Sequence, residues 1–232
     1  RDLVQSRTLA TVGRMAATVA HEVNNPLSVI LGYTRILQKQ AGLDTEQAEG
    51  LAIIESETQQ CRRIVDELLD LTRPLKLECA DVDLVQIAEG AVKRARDAGI
   101  CDGIRILGPD ASGEARVWGD EMKLGQVVSN LMANAAEATP PGGEVSIAVE
   151  REGENVKLTI ADSGEGITSD VLPFVFGPFF TTKPKGTGLG LAICQAIAQA
   201  HGGMIELTSQ VKRGTSVTLS LPCRAAEAGD TL

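Results

Sequence analysis

The sequence predicts two domains, an all-α helical hairpin followed by an α+β two-layer sandwich. In the first part, apolar residues recur at steps of three and four, the period of amphipathic helices. From about residue 81, helical segments alternate with short strand-like runs, the order expected for a sheet covered by helices. A length of 232 residues with 43% hydrophobic residues allows two compact cores. We expect the domains at residues 1–77 and 78–224, and a flexible tail over 225–232.

Residues 3–40 are predicted to form one long helix that carries the most conspicuous polar group of the chain. His21, one of only two histidines, lies two residues after Val19 of the apolar seam, about 200° around the helix. Its imidazole is therefore expected to point away from the seam, and Asn25 follows one turn later on nearly the same face. Pro26 removes a helical hydrogen bond and favours a kink. The alternative is an ordinary surface histidine beside a harmless kink.

A second helical run is predicted after a turn at which Asp44 or Thr45 serves as the N-cap, and it ends near Pro74. Two helices of this length form an antiparallel hairpin. One hairpin cannot bury both of its apolar seams, so a four-helix bundle built from two chains is the economical arrangement. The alternative is that the seams pack on the following domain.

The second domain is predicted to contain three helices and six strands around one long loop. The predicted helices cover residues 84–98, 121–138 and 189–201; the predicted strands cover 104–107, 115–118, 144–150, 156–161, 204–209 and 216–221. The last four strands form two hairpins, and Asp120 is the expected cap of the second helix. A loop rich in Gly and Phe runs over residues 162–188. This order predicts a mixed sheet with helices on one face.

Composition excludes several classes of function. A net charge of −9 and a pI near 4.8 argue against a nucleic-acid-binding protein, which needs a basic face. The five cysteines are scattered, without metal-ligand spacing, and indicate reduced thiols in a cytoplasmic protein. No run of 18 apolar residues occurs, so we expect no membrane contact by this segment.

Two motifs in the second domain favour a bound nucleotide. Asn130 and Asn134 are four residues apart on one helix face, and their amide oxygens are hard, neutral ligands suited to Mg²⁺. The alternative is a solvated helix face. In D-S-G-E-G-I, Asp162 ends a predicted strand and can accept a hydrogen bond from an exocyclic amine, while the glycines allow a flat ligand to approach. A simple turn is the alternative.

A third motif, K-P-K-G-T-G-L-G-L, suits a polyphosphate. Its glycines open a predicted helix whose first backbone N–H groups can face phosphate. No Asp or Glu occurs over residues 171–205, whereas Lys183 and Lys185 lie inside that range. All four phenylalanines lie between the two glycine clusters, as in a lid with aromatic anchors or a small satellite core.

These segments together resemble the cytoplasmic core of bacterial two-component sensor histidine kinases, especially nitrogen-regulation-like members. H-E-V-N-N-P-L is similar to the phospho-acceptor motif of their dimerisation and histidine-phosphotransfer domain. N-L-M-A-N-A, D-S-G-E-G-I, F-V-F-G-P-F-F-T-T-K and G-T-G-L-G-L resemble the asparagine, first glycine, phenylalanine and second glycine boxes of an ATP-binding domain. Gyrase, heat-shock chaperone and mismatch-repair ATPases share that domain, so the resemblance implies the histidine kinase/gyrase-type ATPase fold.

The resemblance implies an ATP site beneath the loop of residues 162–188. Asp162 would pair with the adenine amino group, with Thr215 supporting that pocket, and Asn134 with Asn130 would hold Mg²⁺. Lys183 and the glycine-rich helix start would neutralise phosphate charge. The remaining residues of the implied nucleotide site are Gly164, Gly166, Ile167, Gly186, Thr187, Gly188, Leu189 and Gly190.

The resemblance also implies a reaction and a partner. The neutral ring of His21 would attack the γ-phosphorus of ATP, with Glu22 fixing the tautomer and taking the proton. The phosphoryl group would pass to an aspartate of a response regulator receiver domain, in a protein that acts as a homodimer. Asn25 would orient water to dephosphorylate that regulator. Glu137 departs from the pattern, since many relatives carry a basic residue there, and His201 matches a helix-end position with a capping or structural role.

Two other classes of function are set against this interpretation. An ATPase or clamp of the chaperone and topoisomerase kind shares the pocket, but it activates water with a glutamate where this chain has Asn130. A phosphotransfer adaptor with a decayed nucleotide pocket is disfavoured because all the boxes are intact.

Overall fold

The computed structural model describes residues 23–39, 43–72, 75–183 and 186–223. The chain divides into two compact units with the boundary between residues 74 and 75, a helical first unit and a second unit that contains both sheets. The division predicted after residue 77 and the tail from residue 225 stay predictions. Within the described part, no helix is both long enough and apolar enough to cross a bilayer.

The described residues of the first unit form a pair of helices. Helix α1 is described over residues 23–38, and α2 spans Thr45–Thr72. Asp44 is the cap of α2: its Oδ1 accepts from the Gln47 backbone N–H at 2.8 Å, and the Gln47 side-chain oxygen accepts from the Asp44 N–H at 3.3 Å. This reciprocal pair is a capping box, which satisfies two N–H groups that a helix start leaves unpaired.

Two polar contacts show how the helices are aligned. Arg35 Nε donates to Glu55 Oε1 at 2.9 Å, and Asn24 Nδ2 donates to Asp66 Oδ1 at 3.4 Å. Going from residue 35 to 24 in α1 corresponds to going from 55 to 66 in α2, so the helices are antiparallel and in register. The hydrogen bond from Arg35 lowers the pKa of Glu55 below its ordinary value. The predicted helical hairpin is confirmed.

The described part of the hairpin leaves much of its apolar surface exposed. Leu31, Thr34 and Thr58 are buried, and the two threonine hydroxyls donate to the carbonyls one turn earlier, at 2.8 and 2.6 Å. The large apolar side chains that stay exposed are Val29, Ile30, Tyr33, Ile36, Leu37, Ile53 and Ile54. An apolar stripe of this extent is typical of a surface that another helix covers.

The second unit is built on a five-stranded mixed sheet in the order β2-β4-β5-β7-β6. The elements are β1 Ala80–Asp83, α3 Leu84–Asp97, β2 Arg105–Ser112, β3 Arg116–Gly119, α4 Glu121–Ala138, β4 Glu144–Glu152, β5 Asn155–Asp162, a 3₁₀ turn Leu172–Phe174, α5 Gly190–Ala200, β6 Met204–Gln210 and β7 Gly214–Pro222. Strand β2 is parallel to β4, and all other pairs in this sheet are antiparallel.

The three helices of this unit cover one face of the sheet. Helix α4 contacts α3, α5, β5 and β7, so it is the central helix of the layer. Alternate residues of β4 and β5 are buried beneath it, among them Ile147, Leu158 and Ile160. The predicted two-layer sandwich is confirmed.

Two features differ from the prediction. Strand β1 was not expected, and it pairs with β3 in a separate two-stranded sheet, so the predicted strand at 115–118 is no part of the main sheet. Strand β2 runs on to Ser112, past the cis Gly108–Pro109 bond and a register shift, although Gly-Pro usually ends a strand. Both features depend on pairing with distant strands rather than on local pattern.

A junction around Asp120 joins three parts of the second unit. Its Oδ1 accepts from the Lys123 N–H at 3.0 Å, which caps α4, and its Oδ2 accepts from the Glu78 N–H at 3.0 Å. The Asp120 backbone N–H donates to His201 Nε2 at 2.9 Å, and His201 Nδ1 lies 2.8 Å from the Ile197 carbonyl oxygen. An imidazole that accepts at Nε2 and donates at Nδ1 is neutral. His201 is therefore a structural residue that fixes the end of α5 against the start of α4.

The Asp120 carboxylate links stability to pH. Burial raises its pKa, but hydrogen bonds from backbone N–H groups outweigh that effect and hold the pKa below the ordinary value of 3.8. Because the pKa is lower in the folded state, the stabilisation is fully present above the unfolded value. It is lost as the pH falls through the folded value.

We expect Asp120→Ala to lower the free energy of unfolding at pH 7 by about 2 kcal/mol, since it removes a helix cap and leaves the Glu78 N–H without its acceptor. The variant will also lose less stability than the parent protein below about pH 4, because the titrating group is gone. Urea unfolding followed by the fluorescence of Trp118, the single tryptophan, measures both effects. The control Glu121→Gln, an exposed change, should stay within about 0.5 kcal/mol of the parent protein. Unfolding of Asp120→Ala at the parental urea concentration would contradict the prediction.

Candidate functional site

The site is built around the carboxylate of Asp162 at the end of β5. Its Oδ1 accepts from the backbone N–H groups of Gly164 at 2.8 Å and Thr215 at 3.2 Å. These two bonds tie the loop after β5 to the first residues of β7. Partial burial raises the pKa of Asp162, and the two N–H donors oppose that rise. The hydrogen bonds of the described residues leave Oδ2 open, so it can accept from an amine of a ligand.

Glycines allow the backbone segments of the site to touch. A Cβ at Gly214, which has φ +96°, would lie 1.8 Å from the Asp162 carbonyl oxygen. At Gly164 it would lie 2.3 Å from the Ala138 carbonyl oxygen, and at Gly166 2.1 Å from that of Gln210. No side chain fits at any of these positions. Gly214 was not among the predicted site residues, although it stands in the R-G-T segment that contains Thr215.

Ser209 is a further member of the site that the sequence did not indicate. Its Oγ accepts from the Ile167 N–H at 2.8 Å, donates to the Gly214 carbonyl oxygen at 2.9 Å and lies 2.8 Å from Thr215 Oγ1. This hydroxyl therefore joins the first glycine cluster to the β6–β7 turn. A single serine in a strand gives no sequence signal for such a role.

The side of the site formed by α4 carries Asn134 and Glu137. Asn134 Oδ1 accepts from Lys183 Nζ at 2.9 Å, and the same ammonium forms a close ion pair with Glu137 Oε2. Lys183 belongs to the long loop, so this contact connects the loop to the central helix. Asn134 and Lys183, both predicted as site residues, are thus brought together.

Asn130 has different surroundings, although it lies one turn from Asn134. Its amide hydrogen-bonds to the thiol of Cys194 in α5. Burial raises the pKa of Cys194 to about 12, against the opposing effect of that hydrogen bond. Asn130 therefore helps to hold α5 against α4, and its role as a metal ligand stays a prediction.

The second glycine cluster leads into α5. Gly188, with φ +69°, packs so closely that a Cβ would lie 2.4 Å from the Phe179 carbonyl carbon. The Leu189 N–H donates to Thr187 Oγ1 at 3.3 Å, Leu189 is fully buried, and Gly190 begins the helix. The backbone N–H groups at this helix start can bind an anion. Gly186 is described, whereas Lys185 lies outside the described residues.

The phenylalanines of the loop are only partly buried. Phe174 and Phe179 are 58% and 60% exposed, and the rings of Phe174 and Phe180 lie 6.1 Å apart between centroids. The loop is thus anchored by the Phe174–Phe180 ring pair and by the buried Val175, and the four phenylalanines do not all serve as buried anchors.

The predicted phospho-acceptor residues belong to the first unit. His21 and Glu22 lie outside the described residues, and Asn25 is exposed on α1. In the described part of the chain, no three His, Cys, Asp or Glu side chains converge as a metal site would require. The Asn134 oxygen nevertheless fits a hard cation, because the Lys183 ammonium already occupies that position as a stand-in.

Comparison with known proteins identifies both units. Residues 11–75 match the His Kinase A (phospho-acceptor) domain, and residues 119–225 match the histidine kinase-, DNA gyrase B- and HSP90-like ATPase. The chain is 35% identical over 223 residues to the sensor histidine kinase ZraS of Escherichia coli K12, which covers 95% of this chain and 48% of ZraS.

The chain is a two-domain histidine kinase core, a phospho-acceptor domain followed by an ATPase domain. It spans about half the length of ZraS, and its ATPase domain is a nucleotide-binding domain. The narrower likeness to nitrogen-regulation members stays a prediction.

Solved histidine kinases share the fold. Full-length ShkA in complex with AMPPNP superposes with a TM-score of 0.77 at 25% identity, over 90% of this histidine kinase and 46% of ShkA. The kinase ThkA in complex with the response regulator protein TrrA superposes with a TM-score of 0.68 at 28% identity, over 94% of this chain and 63% of ThkA.

We expect Gly214→Ala to lower the free energy of unfolding by about 3 kcal/mol or more, because the new methyl group would collide with the Asp162 backbone in addition to straining φ. Gly142→Ala is the matched control: its φ is +83°, but nothing lies within 4 Å of the added carbon. That variant should lose only about 1 kcal/mol, for strain alone. Urea unfolding compares the two, and equal losses would show that the close approach at Gly214 is unimportant.

Proposed function

We propose that this histidine kinase core transfers the γ-phosphoryl group of ATP to His21 and then to an aspartate of a response regulator. The observation that carries the proposal is the Asp162 carboxylate: the Gly164 and Thr215 N–H groups fix its Oδ1, and the hydrogen bonds of the described residues leave its Oδ2 open to a ligand amine. The match of residues 11–75 to the phospho-acceptor domain supports His21 as the receiving group.

In this proposal the nucleotide is held by groups of different chemistry at its two ends. Asp162 Oδ2 accepts from the adenine amine, and Thr215 supports that pocket through its backbone N–H, which donates to Asp162 Oδ1. The N–H groups that begin α5 face the phosphates, with Lys183 as the nearby cation. Asn134 offers a hard oxygen that would hold Mg²⁺, and that ion would supply charge neutralisation at the phosphates. The nucleotide complex of ShkA supports a ligand of this class.

On the side of the phospho-acceptor, the chemical step needs a positioned nucleophile and a proton acceptor. One ring nitrogen of neutral His21 attacks the γ-phosphorus, and the bond to the bridging oxygen breaks, so that ADP leaves. The proton on the other ring nitrogen passes to Glu22, which also selects the tautomer beforehand. The regulator aspartate then attacks the phosphorus and releases His21.

Two further parts of the proposal concern assembly. The exposed apolar stripe of the hairpin supports a homodimer in which two hairpins complete a four-helix bundle in the cytoplasm. The ThkA complex with TrrA supports a response regulator receiver domain as the partner.

Incubation with γ-labelled ATP should give acid-labile, base-stable label on the protein, the behaviour of phosphohistidine. His21→Gln should lose the label and keep nucleotide affinity, whereas Asp162→Asn should lose at least tenfold in affinity as well, because the carboxylate acceptor is gone. Mixing His21→Gln with Asn134→Ala chains should restore label if the reaction crosses the dimer. Label that persists in His21→Gln, or free phosphate without labelled protein, would contradict the proposal.

Asn25 is proposed to orient a water molecule that hydrolyses the phosphorylated regulator. Asn25→Ala should therefore slow regulator dephosphorylation at least tenfold and leave His21 labelling within twofold. The exposed change Ser28→Ala, three residues further along α1, is the control. Dephosphorylation at the parental rate by Asn25→Ala would refute this role.

A further inference from the structure

The Lys183 ammonium lies between two oxygen ligands on α4. Asn134 Oδ1 accepts from it at 2.9 Å, and Glu137 Oε2 forms a close ion pair with it. Asn134 and Glu137 are three residues apart, so their side chains leave the same face of the helix. An amide oxygen and a carboxylate that converge on one cationic atom have the composition of a divalent-cation site.

We propose that Asn134 and Glu137 form a cation cradle that Lys183 fills in the nucleotide-free protein and vacates when a divalent cation binds. This inference rests on the proposed function, because the nucleotide brings that cation. The Asn134 oxygen faces one cation at a time at this distance, so the lysine and the metal ion compete for it. Glu137 is the positioning residue, since its charge holds Lys183 at the oxygen.

Replacing Lys183 by a divalent cation costs little free energy because the Lys183–Glu137 ion pair is exposed to water. The Lys183 and Glu137 side chains retain 40% and 57% of their accessible surface, and an ion pair so screened is weak. The lysine that leaves Asn134 is then available to the phosphates. The cradle thereby couples cation binding at α4 to the position of the long loop, and it explains why an acidic residue stands at Glu137.

The first test needs no nucleotide. Hydrogen–deuterium exchange of the full chain should be at least threefold faster over residues 180–183 in Glu137→Gln and in Lys183→Met, because either change frees the loop from α4. The double variant should show no further increase, as expected for one shared contact. Glu89→Gln and Lys93→Met, exposed on α3, carry the same charge changes and should leave exchange over 180–183 unchanged. Unaltered exchange in the single variants would overturn the cradle.

The second test measures competition. The Mg²⁺ concentration that gives half-maximal binding of AMPPNP should fall at least threefold in Lys183→Met, because the competitor for Asn134 is absent. If Lys183→Met also removes a contact to the phosphates, the affinity for AMPPNP at saturating Mg²⁺ falls. The same titration measures that affinity separately from the Mg²⁺ midpoint. An unchanged or higher Mg²⁺ midpoint would overturn the competition. Failure of the parent protein to bind nucleotide would contradict the proposed function, while the exchange measurement still decides the cradle.

Discussion

The backbone of Gly214 touches the backbone of Asp162, and the candidate nucleotide site depends on that approach. Because no side chain separates the two strands there, the Thr215 N–H reaches the Asp162 carboxylate. The same carboxylate orders the loop after β5 through Gly164, and Ser209 secures that loop to the β6–β7 turn. A partly buried carboxylate with one oxygen fixed and one open is a preorganised acceptor for a ligand amine.

Helix α4 joins this acceptor to the rest of the ATPase domain. Its first turn is fixed by Asp120, whose contacts with Glu78 and His201 hold the segment that precedes β1 and the end of α5. Its middle is fixed by the Asn130–Cys194 contact, and its last turns present Asn134 and Glu137. The fixed first and middle turns of α4 thus support the last turns, where Asn134 and Glu137 exchange Lys183 for a divalent cation. The two binding side chains are held on a rigid helix, whereas the loop that carries Lys183 can move.

The two units differ in how far they bury their apolar side chains within a single chain. The ATPase domain buries its apolar side chains between one sheet face and three helices within a single chain. The hairpin aligns its helices through polar contacts and leaves an apolar stripe in water. Its stability is therefore expected to depend on a second chain, which matches a phospho-acceptor domain that operates as part of a bundle.

Local pattern in the sequence was enough to predict the helical hairpin, helices α3 and α4, both β-hairpins and the positions of Asp162, Asn134 and the glycine clusters. Each of these depends on periodicity, capping or backbone freedom within a few neighbouring residues. Tertiary structure decided the pairing of β1 with β3, the extension of β2, the role of Ser209 and the division of tasks between Asn130 and Asn134. It also brought Lys183 to Glu137, 46 residues away. Such contacts join distant segments, and no local pattern specifies which distant group a side chain will meet.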